Sequence, residues 1–132
     1  MGVVYLYFGS LALLAFCVLS FFAIVLLETI NYVEHYGLSR KKVSETRYEP
    51  VSDAHSWDTA GPATNFNLWN LGKHAHHHSV AHLPYTELRL LPGASRLPLG
   101  YPAMVLVSLV PPLWKKIMHD HLKRAAILTV KA

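Results

Sequence analysis

The chain opens with a long run of apolar residues. Residues 3–27 are apolar apart from one glycine and two serines, and the first charged side chain is that of Glu28. At about 1.5 Å of rise per residue, a helix of this length crosses a hydrocarbon layer of roughly 30 Å. The pattern therefore predicts one transmembrane helix.

A cleaved signal peptide is the main alternative for this segment. Such a peptide has a basic N-terminal region, a shorter apolar core and a cleavage site of small residues. No lysine or arginine precedes the apolar run, which passes directly into the mixed residues 28–35. We therefore expect the helix to be retained and to continue to about residue 38, with Gly37 as its C-terminal stop.

The rest of the chain divides by the spacing of its apolar positions. Residues 39–64 are charged and polar, and we interpret them as a connecting loop. Residues 65–83 have helical spacing that ends at Pro84. After a stretch rich in Pro and Gly, residues 103–118 form a second apolar segment, which is interrupted by a Pro-Pro pair and is too short to span a membrane. This segment is typical of a buried or interfacial helix.

These elements predict an all-α, integral membrane protein with one transmembrane helix that extends into a cytosolic, histidine-rich helical cap. We place the helix and its extension at residues 1–38 and the cytosolic part at residues 39–132. Every Lys and Arg follows the apolar helix, so the positive-inside rule puts the C-terminal part in the cytoplasm. The same bias explains the net charge of +4, and no basic patch with interleaved aromatic residues indicates nucleic-acid binding. The single Cys17 excludes a disulfide framework and a CxxC metal site.

Candidate chemistry is concentrated at Lys73–His78, which reads Lys-His-Ala-His-His-His. In a helix, His74, His77 and His78 lie at i, i+3 and i+4 and share one face, while His76 points roughly to the opposite side. Three neutral imidazoles on one face can bind one or two metal ions. A solvated His-rich tract explains the bare cluster equally well, so the surrounding residues must decide between that tract and a metal site.

A second polar group lies where the apolar helix is expected to end. Glu28, Asn31 and His35 fall at i, i+3 and i+7, with Glu34 beside them. Ionisable residues at a membrane edge are costly unless they are solvated, paired or bound. Either the helix simply enters water here, or His35 reaches the same metal while the carboxylates bind it or orient a ligating imidazole. The spacing does not choose between these alternatives.

Short motifs add a resemblance to a known family. Asn31–Leu38 reads NYVEHYGL and resembles the NYxEHYGL signature of membrane-bound alkane hydroxylases (alkane 1-monooxygenases), within the superfamily of integral-membrane fatty-acid desaturases and hydroxylases. Further motifs follow in that family's order: Arg47-Tyr48-Glu49, His55-Ser56-Trp57, Asn65, His74-x-x-His77-His78, Tyr85-x-x-Leu88, Leu97-Pro98-x-Gly100-Tyr101-Pro102 and Pro111–Trp114. The resemblance covers nearly all of residues 28–118.

The resemblance implies a bundle of transmembrane helices in the bacterial inner membrane, capped by a cytosolic region that holds a di-iron centre. It also implies that O2 and electrons from a rubredoxin-type donor hydroxylate the terminal methyl of an alkane. The cofactor carries this chemistry, because side chains alone do not cleave an unactivated C–H bond. By the matched motifs, the implied iron ligands are His35, His74, His77 and His78. The candidate groups for orienting them are Glu28, Asn31, Glu34 and His55.

The chain departs from the family's pattern in three ways. His76 replaces the acidic residue of the histidine box, and Asp58 replaces the asparagine that follows His-Ser-Trp. The family's two upstream boxes, HxxxxH and HxxxHH, have no counterpart, since residues 1–30 contain no histidine. We therefore expect this chain to correspond to roughly the last third of such an enzyme, as a truncated or split form, and to be inactive alone.

Two other interpretations remain. A membrane-anchored, non-enzymatic protein with a His-rich helix would bind Zn, Ni or Cu. A desaturase or a different hydroxylase of the same superfamily would share the histidine boxes. The remaining histidines, His82, His119 and His121, are not required by the family's motifs, and we expect the last two at the surface.

Overall fold

The computed structural model describes the backbone of residues 1–130 and the side chains of residues 1–125. The chain divides into two compact units, and the boundary lies between Asn31 and Tyr32. The first unit consists almost wholly of helix, while the second contains the strands and the remaining helices.

Helix α1 spans Gly2–His35 and includes the apolar run. Its helical geometry is interrupted at Gly9, where φ is +80° and ψ is −178°, a conformation that a residue without Cβ adopts at low cost. The most apolar 18-residue window of α1 has no buried residue, and α1 is long and apolar enough to cross a membrane. Within residues 1–130 one helix meets this criterion. The predicted long apolar helix is therefore confirmed.

Four α-helices follow among the described residues of the second unit, together with two 3-10 turns at Asp53–His55 and Tyr85–Glu87. Helices α2, Pro62–Asn67, and α3, His74–Ser79, are short, whereas α4, Tyr101–Ser108, and α5, Pro111–Val130, are longer. The Pro-Pro pair that we predicted to interrupt a helix begins α5 instead. Proline suits this position because its missing N–H would have no partner in the first turn of a helix.

Four short strands form two pairs within the part of the second unit that the structure describes. Strand β1, Lys42–Ser44, runs antiparallel to β2, Arg47–Tyr48, while β3, Trp57–Asp58, runs parallel to β4, Ser95–Arg96. The chain is thus mostly helical but not all-α as predicted. The β3–β4 pair forms because buried loop segments must still pair their backbone N–H and C=O groups.

The single helix predicted over residues 65–83 is wrong, because two short helices, α2 and α3, occupy this stretch. Between them Trp69 and Asn70 have φ values of +50° and +62°, which turn the chain sharply. Asparagine tolerates this left-handed region, and the Asn70 side-chain amide donates a hydrogen bond to the Tyr85 carbonyl at 3.1 Å. The helical spacing of Phe66 and Trp69 was misleading because both side chains are exposed.

Aromatic side chains form the core of the second unit. Trp57, Tyr101 and Trp114 are fully buried and pack with Met104. The Trp57 indole N–H donates to the Tyr36 carbonyl at 2.8 Å, and the Tyr101 hydroxyl donates to the Trp57 carbonyl at 2.8 Å. These two bonds hold β3 between α4 and the chain around residue 36. The histidine-bearing segments are positioned by this core.

Candidate metal centre

Helix α3 carries two histidines that face the same point. His74 and His78 are one turn apart, and their Nε2 atoms lie 2.9 Å from each other. His74 is buried, while His78 is exposed. The predicted i, i+4 alignment of these two side chains is present although α3 is only six residues long.

A third imidazole reaches this point from another element. His35 is the last residue of α1, and its Nε2 lies 3.2 Å from Nε2 of His74. Its Nδ1 lies 3.1 Å from the carbonyl oxygen of His55. A carbonyl only accepts hydrogen bonds, so Nδ1 carries the proton and Nε2 presents a lone pair. Ligating histidines in metalloproteins are commonly oriented in this way.

The geometry of the three nitrogens fits a metal ion. One ring nitrogen from each of His35, His74 and His78 lies within 4.8 Å of the other two. Imidazole nitrogens bind first-row metals at about 2.1 Å, so two ligands at a right angle are about 3 Å apart. The distances of 2.9 and 3.2 Å match this spacing. We refer to these three residues as the histidine triad.

Protonation of the triad also favours metal binding. Burial, together with the imidazoles of His78, His35 and His77, lowers the pKa of His74 to about 3. Burial likewise lowers the pKa of His78, with His35 and His77 adding to the effect. Both rings are therefore neutral near pH 7, and the neutral imidazole is the form that binds a metal ion.

A buried carboxylate borders the triad. Glu34 is 3% exposed, and its Oε2 lies 3.3 Å from Nε2 of His74. Because His74 is neutral, this contact is not an ion pair. Glu34 Oε1 and His74 Nδ1 are buried and have no hydrogen-bond partner within the described part of the chain. Buried polar atoms are rarely left so, and the open Oε1 of Glu34 beside the triad fits a bound ion or another of its ligands.

His77, the remaining predicted ligand, lies beside the triad but outside it. Its ring centroid is 5.9 Å from that of His74 and 5.8 Å from that of His78. Three of the four predicted ligands therefore converge, and the role of each as an iron ligand stays a prediction. His76 points away as expected, since its Nδ1 accepts the backbone N–H of Arg89 at 3.0 Å.

The residues predicted to orient the ligands do not all contact the triad, and His55 does so only through its backbone. The carbonyl of His55 contacts His35, whereas its side chain accepts the N–H of Ser52 at 2.9 Å and donates to Glu49 at 3.1 Å. The hydrogen bond from the backbone N–H of Lys41 is the largest cause of the lowered pKa of Glu49, and the bond from His55 lowers it further.

The other three predicted orienting residues lie on α1. Glu34 borders the triad, whereas Glu28 and Asn31 are exposed side chains of the first unit. The predicted roles of these residues stay predictions.

Sequence reasoning did not assign Asp58 a role in the site. Its carboxylate is fully buried, and Oδ1 accepts the backbone N–H of Ala75 at 2.8 Å, within the helix that bears His74. Burial raises the pKa of Asp58, whereas that hydrogen bond and the charge of Arg96 act in the opposite direction. The only sequence signal was the charged residue that follows His-Ser-Trp in place of the asparagine usual in the family.

Comparison with known proteins identifies relatives that are similar in sequence to most of this chain. Alkane 1-monooxygenase 1 of Pseudomonas aeruginosa is 44% identical over 111 residues, which are 84% of this chain and 29% of that protein. Alkane 1-monooxygenase 2 of Alcanivorax borkumensis is 43% identical over 104 residues, or 79% of this chain and 27% of that protein. The alkane 1-monooxygenase of Acinetobacter baylyi is 42% identical over 99 residues, or 75% of this chain and 24% of that protein.

This chain spans less than a third of the length of each of these relatives. The family model described as fatty acid desaturase matches residues 1–108, which is more than half of the chain. The resemblance seen in the histidine box and in NYVEHYGL is thereby confirmed, and the chain belongs to the fatty acid desaturase family.

Proposed function

We propose that this chain forms part of the di-iron centre of a membrane-bound alkane 1-monooxygenase. The complete enzyme would hydroxylate the terminal methyl of an alkane, or of a similar apolar chain, with O2 and reductant. The observation that carries the proposal is the convergence of three imidazole nitrogens from two separate helices. Relatives that are named alkane 1-monooxygenase support this substrate class over a desaturase or a different hydroxylase.

Each histidine has a definite role in this proposal. His35, His74 and His78 would hold one iron through their converging ring nitrogens, and imidazole is a ligand that suits iron. His77, which lies next to the triad, would contribute to a second iron together with ligands that this chain does not supply. When bound, the iron pair supplies the activation of O2 that no side chain provides.

The surrounding residues hold this ligand set in place. The carbonyl of His55 keeps the proton of His35 on Nδ1, which leaves Nε2 available to the metal. Glu34 supplies a carboxylate oxygen at the edge of the triad, where it accepts a hydrogen bond or completes the coordination. The fully buried side chain of Tyr101 borders Glu34 and excludes water from that side of the site.

The proposal extends to location and partners. The long apolar helix supports a position in the bacterial inner membrane, where an apolar substrate is dissolved. A rubredoxin-type electron donor would deliver electrons from the cytoplasm. That partner is supported by the family resemblance alone.

A chimaera tests the proposal. In it, this chain would replace the matching region of the Pseudomonas aeruginosa alkane 1-monooxygenase 1, and intact cells would be assayed for conversion of an n-alkane to the 1-alkanol. We expect the chimaera to produce the alcohol and His74→Ala to abolish production, because a ligand of a converging triad is lost.

The matched control is His82→Ala, which removes an exposed histidine just beyond α3. It should leave alcohol formation unchanged in the same cells at equal protein level. Alcohol formation by the His74→Ala chimaera at the rate of the unmodified chimaera would contradict the proposed ligand role.

A further inference from the structure

Asp58 is a fully buried carboxylate that contacts the helix of the histidine box from outside it. Its Oδ1 accepts the backbone N–H of Ala75 at 2.8 Å, and Ala75 is the second residue of α3. Lys73, the residue at the N-terminal cap of α3, makes no side-chain capping bond. We propose that Asp58 is a positioning residue, which caps α3 from strand β3 and thereby aims His74 and His78 at the metal.

Helix α3 depends on such a contact because it is short. Six residues make only one and a half turns, and a helix of this length does not form stably by itself in water. The first N–H groups of any helix lack partners within it, and that of Ala75 belongs to a residue with no exposed surface. Without the carboxylate, this N–H would be buried and unpaired. The helix would then shift or fray at the turn that carries His74.

Asp58 is itself held firmly, as a positioning residue must be. Its backbone pairs with β4, and its carbonyl accepts the N–H of Leu97 at 2.9 Å. Its Oδ2 lies 3.6 Å from a guanidinium nitrogen of Arg96, and that guanidinium also donates to the Leu91 carbonyl at 3.0 Å. The carboxylate therefore has a fixed location at the N-terminal end of α3.

A second tether acts in the same place. The N–H of Thr59, the residue after Asp58, donates to the Gly72 carbonyl at 2.8 Å, just before α3 begins. Together the two hydrogen bonds connect Asp58 and Thr59 to residues just before and just after the start of α3. The inference rests on the proposed function, because the alignment serves a metal that the triad binds.

The chain contains a closely matched control for this contact. Thr64 is also fully buried, and its hydroxyl oxygen accepts the N–H of Tyr101 at 2.9 Å, at the first residue of α4. Both side chains thus cap a helix from a distant segment, but α4 carries no histidine. Thr64→Val removes that cap with little change of volume. It measures what the loss of a buried cap does in general.

The test uses the 132-residue chain in lipid nanodiscs, with Co²⁺ as the probe. Visible absorption of bound Co²⁺ gives both the affinity and the ligand geometry, and thermal unfolding of the metal-free chain gives stability.

We expect Asp58→Ala to weaken Co²⁺ binding by about 10- to 100-fold and to alter the spectrum, as loss of an orienting partner does in metal sites. Asp58→Asn keeps the acceptor for Ala75 and should restore both. Thr64→Val should lower the melting temperature while leaving Co²⁺ affinity unchanged.

The outcomes separate the two proposals. If the unmodified chain takes up no Co²⁺, or if His74→Ala leaves its uptake intact, the metal site itself is refuted and the role of Asp58 with it. If the unmodified chain binds and Asp58→Ala binds with equal affinity and spectrum, only the positioning role is refuted. A loss of affinity in Thr64→Val as large as in Asp58→Ala would likewise refute it. Should Asp58→Ala fail to fold, Asp58→Ser replaces it under the same criteria, because its shorter side chain withdraws the acceptor from Ala75.

Discussion

At His74, burial and three neighbouring imidazoles act on protonation in the same direction. The pKa of this side chain is about 3 in the folded chain, whereas an unfolded histidine titrates near 6.5. Between these two values the unfolded state binds a proton that the folded state excludes. The free energy of unfolding therefore falls as the pH is lowered from about 6.5 towards 3, and this loss is absent above 6.5.

This pH dependence of the free energy of unfolding can be measured on the metal-free chain. Thermal or denaturant unfolding from pH 7.5 to 4 should show that the unmodified chain loses stability more steeply than His74→Gln. The excess should approach about 1.4 kcal/mol per pH unit at its steepest. Glu34, His35, His77 and His78 face the same cluster and all four are kept in the variant, so the difference between the two profiles reports the replacement of His74. Two parallel profiles would show that His74 is not protected from protons by the fold.

Individual residues also show how much of the candidate site could be predicted from the sequence alone. The recognised motifs brought His35, His74 and His78 forward as candidate ligands together with His77, and the structure brings the first three together. The tautomer of His35 could not be predicted, since it depends on the carbonyl of His55, a partner 20 residues away. Asp58 was overlooked for the same reason: its contact with Ala75 is tertiary.

Among the elements, the end of α1 is defined by a glycine. Gly37 has φ +70°, and the N–H of Leu38 donates to the carbonyl of His35 at 3.2 Å. A Cβ at this position would lie 2.5 Å from a methyl group of Leu122 in α5. The predicted stop at Gly37 therefore matches both a backbone requirement and a close contact within the second unit.

Gly37→Ala should consequently destabilise the second unit. A left-handed conformation costs a residue with Cβ about 1–2 kcal/mol, and crowding against Leu122 adds to this. Chemical denaturation should show a lowered midpoint with an unchanged slope. Gly61→Ala is the control, because Gly61 has no positive φ and a Cβ there would make only ordinary contacts from 3.4 Å. Equal midpoints for Gly37→Ala and the unmodified chain would contradict the strain.

The remaining elements were predictable only where local signals matched tertiary packing. Helix α1 follows from its apolar composition, whereas the Pro-Pro pair at the start of α5 was predicted to interrupt a helix. The turn between α2 and α3 was hidden by the apolar spacing of Phe66 and Trp69, which the fold leaves exposed. Strands β3 and β4 are two residues long and pair across 38 positions, from Trp57 to Ser95, so no local pattern could reveal them.

At the scale of the whole molecule, the number of available ligands limits what the chain can do. Three imidazole nitrogens converge, Glu34 adds a carboxylate oxygen nearby, and His77 stands apart. Among the described residues this set offers enough donor atoms for one metal ion, and we infer that a pair of ions takes further ligands. The curated relatives, of which the chain spans less than a third, contain the additional length from which further ligands would come.

Metal stoichiometry tests this division of the site. In nanodiscs under anaerobic conditions, the 132-residue chain should bind about one Fe²⁺ and hydroxylate no alkane. The chimaera with the Pseudomonas aeruginosa relative should bind two Fe²⁺, because the additional protein completes the ligands around His77. In the isolated chain His77→Ala should leave the single Fe²⁺ bound, since its ring lies outside the triad, whereas His78→Ala should release it. In the chimaera His77→Ala should instead reduce the count from two towards one. Binding of two Fe²⁺ per isolated chain would show that these residues form a complete di-iron site by themselves, and the proposed division would have to be abandoned.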